Sequence, residues 1–571
     1  MLNVQQAVIN KYPKIQVLPK PLLSPLFAAV KKMIHQNDIN TFLKQQQYAG
    51  PFAFVESVLD YFQFSYKFSS NQIENIPASG RVVIIANHPL GALDALSLIH
   101  LVKRVRNDIK VVANDMLNQI DQLKPILVGV NTFGEGVSKA SVKQINDALE
   151  REEALIIFPS GEVSRARPNG VKDTRWHRGF LTFATKNMAP ILPIHINAKN
   201  SALFYTLSSF NKSLSTMLLP HEMFNKQNGS LEFTIGESIP YKSFINNPLD
   251  TKSQVKLFRK HLYRVAKGKK PVFSTQKCIA HPEDRLLLKQ ELQTCQSLGK
   301  TSDGKKIYLY DYQQGSVILQ EISRLREFTF RKVEEGTGKK RDKDDYDYYY
   351  KHIVLWDDEA LEIAGAYRIA ESNFVYKNYD IEGFYTDSLF GFDTEFEPYL
   401  INSIELGRSF VQPKYWGSRA LDYLWQGIGA YLYENPYIKY MFGAVTLSGG
   451  MPKSAQELIV HYYDKYYGNH HELLHPKDRF KFSQNLLDDL ELIFDGNDAQ
   501  KDFRILREQL DYYGVTVPTL YKQYADLCEE GGISFMGYNV DKDFGNCVDS
   551  FILVEVDKIK AKKRERYIRG A

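Results

Sequence analysis

Hydrophobic positions along this chain follow two rhythms, and their alternation divides it into two α/β regions. Between 80 and 239, apolar runs at 81–86, 109–113, 154–158, 191–196 and 231–235 read as strands separated by helical spacing. That alternation predicts a sheet covered by helices. A second series reads as strand 307–312, helix 317–330, and strands 352–356, 362–370 and 403–411. It continues with helix 418–433, strand 440–445, helix 452–467 and a strand pair at 533–538 and 550–556. The polar stretch 271–306 between the two series reads as a linker, with a candidate helix at 286–298.

The first 70 residues show helical spacing and no strand pattern. In 20–36, Leu22, Leu23, Leu26, Phe27, Val30, Met33 and Ile34 form one stripe beside Lys20, Lys31 and Lys32. The run 51–68 holds Phe52, Phe54, Val55, Val58, Leu59, Tyr61, Phe62, Phe64 and Phe68. It has two readings, core packing or an interfacial membrane hairpin. No stretch of about 20 residues is apolar enough to span a bilayer, and the start lacks a signal-peptide pattern.

Charge sharpens the division. Residues 1–270 carry 34 Lys and Arg against 19 Asp and Glu, net +15, and the remainder carries 38 against 48, net −10. Opposite fields imply different partners for the two halves. Cys278, Cys295, Cys528 and Cys547 lie far apart without a CxxC pair, which supports neither a disulfide framework nor a cysteine metal site and points to a reducing compartment. The pair His470–His471 reads as loop, so no metal site is expected. The basic tail KIKAKKRERYIRGA reads as a solvated end or a lipid contact, and no nucleic-acid module is present.

Chemistry-bearing residues cluster in two places. In VVIIANHPLGALDAL, His88 follows an apolar strand and Asp94 stands six residues later. A strand end is where α/β folds expose reactive side chains, and an acid can hold a histidine in the tautomer of a general base. Alone, such a pair more often serves structure. Here it is followed by LIIFPSGEVSR, GVKDTRWHRGF and PILPIHI, in that order.

These four pieces resemble the lysophospholipid (glycerolipid) acyltransferase family. The resemblance covers about 50–240 and implies that His88 takes the proton of an acceptor hydroxyl while Asp94 orients it. It implies an acceptor-binding turn at Pro159, Gly161, Glu162 and Arg165. Three features depart from the family pattern. The His88–Asp94 gap is one residue longer, the glutamate of FPEG is displaced to FPSGE, and the second block, 125–136, has no arginine. Family members acting on glycerol phosphates use that arginine on the phosphate, so its absence argues for another head group. Arg165, Arg167, Arg175 and Arg178 are left as candidates to bind a carboxylate.

The second cluster is LRxxxF (Leu325, Arg326, Phe330), the acidic loop 342–347, GAYRI with Arg368, and ELGR with Glu405 and Arg408. After ELGR a strand, bend and helix start bring Lys414, Gly417 and Arg419 together, a candidate cradle for a pyrophosphate or phosphopantetheine arm. The set resembles the autoinducer-synthase and ornithine N-acyltransferase enzymes of the GNAT superfamily. That resemblance implies Glu405 as base for an amine, with Arg326, Arg368 and Arg408 binding and positioning, and Asp344 and Asp347 meeting a cationic amino acid. The plain alternative is an interior salt bridge between Glu405 and Arg408.

Together the halves resemble the bifunctional ornithine lipid synthases. The expected fold is α/β in two domains, an N-terminal glycerolipid-acyltransferase-like domain and a C-terminal GNAT-like domain. Expected boundaries are a helical segment at 1–70 with a membrane-associating reading, an O-acyltransferase domain at 71–270, the linker at 271–306 and an N-acyltransferase domain at 307–571. The resemblance implies N-acylation of ornithine by a 3-hydroxyacyl chain in the C-terminal half, then O-acylation of that hydroxyl in the N-terminal half. It further implies no bound cofactor, acyl carrier protein (or CoA) thioesters as donors, and a peripheral site at the cytoplasmic face of the inner membrane. The rivals are the same chemistry on glycine or another amino acid, and a non-catalytic, haemolysin-like membrane binder.

Overall fold

Val82, Val83, Ile84, Ile85 and Ala86 are apolar on both faces of a strand, so they require cover on both sides. In the computed structural model, which describes residues 25, 27–28, 31–114, 120–130, 138–168, 170–210, 218–333, 335–469, 471, 473–484, 487–542 and 544–568, they form a fully buried central strand. The chain divides into two units, 1–281 and 282–571.

In the first unit the strands are β1 (Ser65–Lys67), β2 (Val82–Ala86), β3 (Ile109–Asn114), β4 (Leu127–Val130), β5 (Ala154–Ile157), β6 (Arg165–Arg167), β7 (Gly170–Lys172), β8 (Ile191–Asn197) and β9 (Ser230–Ile235). Seven of them form one sheet in the order β1–β9–β8–β2–β5–β3–β4, with only the β8–β9 pair antiparallel. Strands β6 and β7 make a separate hairpin. The five expected strands are all present. The expectation of a strand-free first 70 residues is corrected by β1, which pairs with β9 at the sheet edge.

The run 51–68 begins with helix α1 (Pro51–Tyr61), whose Phe54, Val55, Val58 and Leu59 are buried together with Phe62 and Phe64 in the core. The membrane-hairpin reading fails here because the apolar face is turned inward. Of the expected helix 20–36, residues 20–24, 26 and 29–30 lie outside the described residues. Among the described residues no helix is long and apolar enough to cross a membrane.

In the second unit β10 (Gln296–Lys300), β11 (Lys306–Tyr310), β12 (Lys351–Asp357), β13 (Glu362–Glu371), β15 (Ser403–Val411), β16 (Tyr440–Leu447), β18 (Ile533–Asp541) and β19 (Cys547–Glu555) form one sheet. Its order is β10–β11–β12–β13–β15–β16–β19–β18, and β14 (Phe390–Phe392) pairs with β17 (Leu474–Pro476) apart from it. The linker expectation for 271–306 is corrected. Helix Arg285–Leu292 and strand β10 belong to this unit, with Leu288, Leu292 and Leu298 buried in its cores.

One joint in this sheet positions a site. Only β15 and β16 run parallel, and they pair over just three positions, Ser403–Tyr440 to Glu405–Phe442. Beyond that point the strands separate, and β16 pairs with β19 along its whole length. Gly443 stands where they part, and a Cβ there would run into the Leu406 carbonyl oxygen. From Arg408 onward β15 has no ladder partner on the β16 side among the described residues.

Candidate active sites

The first site is built at the carboxyl end of β2. After Ala86 the chain turns, Gly91 takes φ of 104°, and helix α2 (Ala92–Lys103) begins with Asp94 in its first turn. A side chain at Gly91 would be strained there. Asn87 locks the strand end to its neighbour by donating to the Ile196 carbonyl at 2.8 Å and accepting from the Ile196 N–H at 2.7 Å.

His88 Nδ1 then lies 3.2 Å from Asp94 Oδ2. Asp94 is fully buried and accepts the N–H groups of Leu90 and Ala95, each at 2.8 Å, so its carboxylate is fixed by backbone. Burial pushes the His88 pKa down, but Asp94 and, more weakly, Asp173 more than offset it, and the net shift is upward. With Nδ1 beside Asp94 at ion-pair distance but without a hydrogen bond in this geometry, Nε2 is the nitrogen left for an acceptor hydroxyl. The Phe158 ring flanks the imidazole at 4.3 Å between centroids.

Asp173 is a residue that sequence reasoning missed. Its Oδ1 accepts the His88 N–H at 3.2 Å and the Ser164 hydroxyl at 2.5 Å, and its Oδ2 accepts the Trp176 indole N–H at 2.8 Å. It is fully buried, and burial raises its pKa. The Asp-Thr-Arg-Trp run carried the signal, but nothing in the sequence separates this aspartate from a surface one.

The turn after β5 places the remaining first-site candidates beside His88. The Ser164 N–H donates to the His88 carbonyl at 2.7 Å. Pro159 accepts the His177 N–H at 2.8 Å, and Gly161 adopts φ of 62°. Glu162 accepts the Thr174 hydroxyl at 2.6 Å and lies 3.5 Å from Arg165. Arg165 donates to the Ser208 hydroxyl at 2.8 Å and covers the Phe204 ring. Strand β4 carries the part of the arginine-free block at 127–130, and 131–136 lies outside the described residues.

The second site gathers the charged motif residues of the C-terminal unit. Arg326, on helix α3 (Val317–Lys332), grips Asp347 with two parallel bonds of 2.8 and 2.6 Å and reaches the Asp342 carbonyl with Nε at 3.1 Å. Both partners are fully buried. Although burial disfavours its charge, Arg326 and Arg368 hold Asp347 far below the usual carboxylate range. His352 Nε2 faces the same Oδ1 at 3.2 Å, and burial lowers its pKa.

Arg368, on β13, donates through Nη1 to Asp344 at 2.5 Å and Asp347 at 3.0 Å. Its Nε and Nη2 are buried without a partner, and the rings of Tyr346, Tyr350 and Tyr385 stand 5.1 to 5.6 Å from the guanidinium carbon. Arg408 sits on β15 at φ of 49°, beside a register shift between β13 and β15. A non-glycine residue in that region carries strain, which here aims the side chain. It pairs with Asp342 at 3.3 Å between the rings of Tyr385 and Phe544.

Glu405 is held differently from the expected base. Its Oε1 accepts the Thr386 N–H at 2.7 Å, and its Oε2 accepts the Tyr385 N–H at 3.2 Å and the Tyr350 hydroxyl. Burial raises its pKa, and those donors oppose the rise. The carboxylate anchors the 385–386 backbone and the Tyr350 ring, with three of its roughly four lone-pair positions occupied. It makes no direct salt bridge with Arg408 among the described residues.

Asp347 is gripped by Arg326 and Arg368, whereas Asp344 accepts from Arg368 through Oδ1 alone and keeps Oδ2 buried without a hydrogen-bond partner, 3.8 Å from Arg408. Lys414, Gly417 and Arg419 lie past the far end of β15, at the start of helix α4 (Ala420–Glu434). Lys414 pairs with Glu362 and Arg419 with Asp422, both exposed, so the structure does not join them to the buried cluster.

A second acidic group was also missed. Asp549, on β19 opposite Thr446, accepts that hydroxyl at 2.6 Å and is pushed up to about 6 by burial, with Asp541 adding to the rise. Nearby Glu335 is pushed up to about 7 by burial and by Asp549. Among the described residues no group of three or more His, Cys, Asp or Glu is placed to hold a metal ion.

Comparison with known proteins finds a match in each of the two units. Residues 14–269 match the Acyltransferase family model, and residues 325–426 match the Acetyltransferase (GNAT) domain model. A glycine N(alpha)-acyltransferase of Bacteroides thetaiotaomicron is 32% identical over 306 residues, covering 51% of this chain and 89% of that protein. A lyso-glycine lipid O-acyltransferase of the same organism is 28% identical over 252 residues, 43% of this chain and 90% of its own length. An L-ornithine N(alpha)-acyltransferase of Rhodobacter capsulatus is 28% identical over 264 residues, 44% of this chain and 92% of its own length. The chain is an acyltransferase and belongs to the family in which an N-terminal acyltransferase domain is joined to a C-terminal GNAT domain, consistent with the bifunctional ornithine lipid synthases its motifs resemble.

Proposed function

We propose that this chain makes a two-chain acyl amino acid in two steps, with glycine as the head group. In the C-terminal unit the amine nitrogen attacks the carbonyl carbon of a 3-hydroxyacyl thioester. The C–S bond breaks, the thiol leaves and the amine gives up a proton. In the N-terminal unit His88 Nε2 accepts the proton of the new lipid's 3-hydroxyl as its oxygen attacks the carbonyl carbon of a second thioester, the C–S bond breaks, and the imidazolium gives that proton to the leaving thiolate. Asp94 holds the imidazole and stabilises its charged form. The donors are carrier-protein thioesters, and the growing amphiphile places the work at the cytoplasmic face of the inner membrane.

The observation that carries this reading is Arg368. A buried guanidinium with Nε and Nη2 unpartnered is suited to a carboxylate, the group every amino acid brings. Asp344 and Asp347 are already neutralised by arginines, which favours an amino acid without a second ammonium over ornithine. The glycine N-acyltransferases, 32% identical over 306 and 307 residues, match a longer stretch of this chain than the ornithine-named ones, 28–31% identical over 125 to 264 residues, which supports the same choice.

The test supplies purified protein with a 3-hydroxyacyl carrier thioester and either glycine or ornithine. N-acylglycine is the expected product. Faster conversion of ornithine would change the head group and keep the mechanism.

A further inference from the structure

We propose that a cationic recess beside the His88 site is the docking point of an acidic carrier protein that delivers the O-acylating thioester. This rests on the reading of the N-terminal unit as an O-acyltransferase fed by a carried acyl group.

The recess lies along helix α5 (Thr251–Val265) and the turn after it. It encloses about 370 Å³, and its walls hold Lys172, Lys256, Arg259, Lys260, Lys267 and Lys269 with Arg264 and Tyr263. Residues 251–270 contain eight basic residues and no acidic one. Among the described residues, none of the seven cations in the walls has a carboxylate within ion-pair distance. Arg259 Nε is buried without a hydrogen-bond partner. Gathering that much like charge without counter-ions is self-repulsive, and a bound anionic surface relieves it.

The recess connects directly to the catalytic turn. Arg259 Nη2 donates to the Asp173 carbonyl at 2.6 Å, and the Asp173 N–H donates to the Tyr263 hydroxyl at 2.9 Å. Asp173 in turn accepts the His88 N–H. One residue therefore separates the cationic wall from the candidate base. A thioester arm anchored here by its phosphate starts one residue, Asp173, from the turn that carries His88.

The form of the helix favours a protein over a bilayer. A helix that lies on a membrane turns its apolar face to the lipid. Here Val255, Phe258 and Leu262 are buried in the core of the unit, and the outer face presents charge. A concave, cationic surface suits the acidic face of a carrier and its phosphate.

The test is direct binding of purified holo acyl carrier protein, read by fluorescence anisotropy without turnover. Binding to wild type is expected to weaken steeply as salt rises, and the triple variant Lys256→Glu, Lys260→Glu, Lys267→Glu is expected to bind at least about tenfold more weakly. In steady-state assays the variant's KM for the carrier-bound donor rises by the same factor while kcat holds. Salt-independent binding, or a variant that binds as wild type does, overturns the proposal. So does a variant that binds carrier normally but no longer sediments with phosphatidylglycerol vesicles, which assigns the recess to a membrane. Because binding is read without chemistry, a wild type that binds the carrier but forms no ester would refute the acylation reading and leave the docking site standing.

Discussion

Arg368 commits only its Nη1 nitrogen to the Asp347 carboxylate, at 3.0 Å, and leaves Nε and Nη2 buried and unpartnered. Arg326, by contrast, closes a two-bond fork on the same aspartate. Arg326 is committed within the cluster, whereas Arg368 keeps two donors uncommitted, and the proposed function assigns those donors to the carboxylate of the amino acid.

Arg368→Lys keeps a positive charge but loses the planar fork. The KM for the amino acid is expected to rise about ten- to hundredfold, the worth of a charge-assisted pair, while thermal stability changes little. Steady-state kinetics over amino-acid concentration checks this. A variant that loses kcat at unchanged KM would move Arg368 from substrate binding to another role.

Asp347→Asn breaks the fork on Arg326 and leaves a fully buried guanidinium short of its counter-ion. A loss of about 3–5 kcal/mol is expected on removing one partner of such a pair. Urea denaturation of the variant measures it, and a loss below about 1 kcal/mol would mean that Arg326 finds another partner.

Glu405→Gln tests an anchor against a base. Gln replaces one acceptor oxygen by an NH2 group that opposes the Tyr350 hydroxyl or a loop N–H, at a cost of about 1–3 kcal/mol. The expected signature is lower stability with N-acylation reduced but not abolished. Complete loss of turnover at wild-type stability would restore the base role that the motif implied.

The His88 pair predicts a pH profile. The folded pKa is raised, and the neutral imidazole is the active form. The O-acylation rate therefore climbs with pH through a midpoint above the ordinary 6.5 of histidine. Asp94→Asn removes the raising charge, so its midpoint should fall while the plateau drops by on the order of a hundredfold. A midpoint that does not move would show that Asp94 does not act through His88.

Asp549 carries its signature in stability. Its pKa is raised to about 6 by burial, against about 3.9 in an unfolded chain. The folded state binds this proton more tightly, so the benefit is full below about pH 4 and is lost as pH rises through about 6. Asp549→Asn has no such loss. Its stability relative to wild type should improve by about 3 kcal/mol between pH 4 and pH 8. An unchanged difference between those two pH values contradicts the raised pKa.

The sequence disclosed what its periodicity and motifs encode, and the reasons for the rest are physical. Strand β2 is a continuous apolar run and β19 contains one, at 551–554, so both were legible with small boundary errors. Strand β10 was not, because an edge strand reading Gln-Ser-Leu-Gly-Lys buries only Leu298 and looks like loop. The charged cluster was legible as a set of residue types, but its pairing was not. Spacing alone cannot say that Asp344 and Asp347 are occupied by arginines, or that Glu405 faces a tyrosine and two backbone N–H groups. Asp173 was invisible because its importance comes from the turn that brings it under His88, 85 positions away.

The central claim is the order of two acylations on one chain, and mass spectrometry of total lipids tests it most directly. Wild type and His88→Ala would be expressed in a host that makes no amino-acid lipids. Wild type should yield a new two-chain lipid that releases glycine on acid hydrolysis, and His88→Ala should stop at the one-chain amide. A two-chain lipid undiminished in the His88→Ala host, or no new lipid from folded wild type supplied with precursors, would contradict the account.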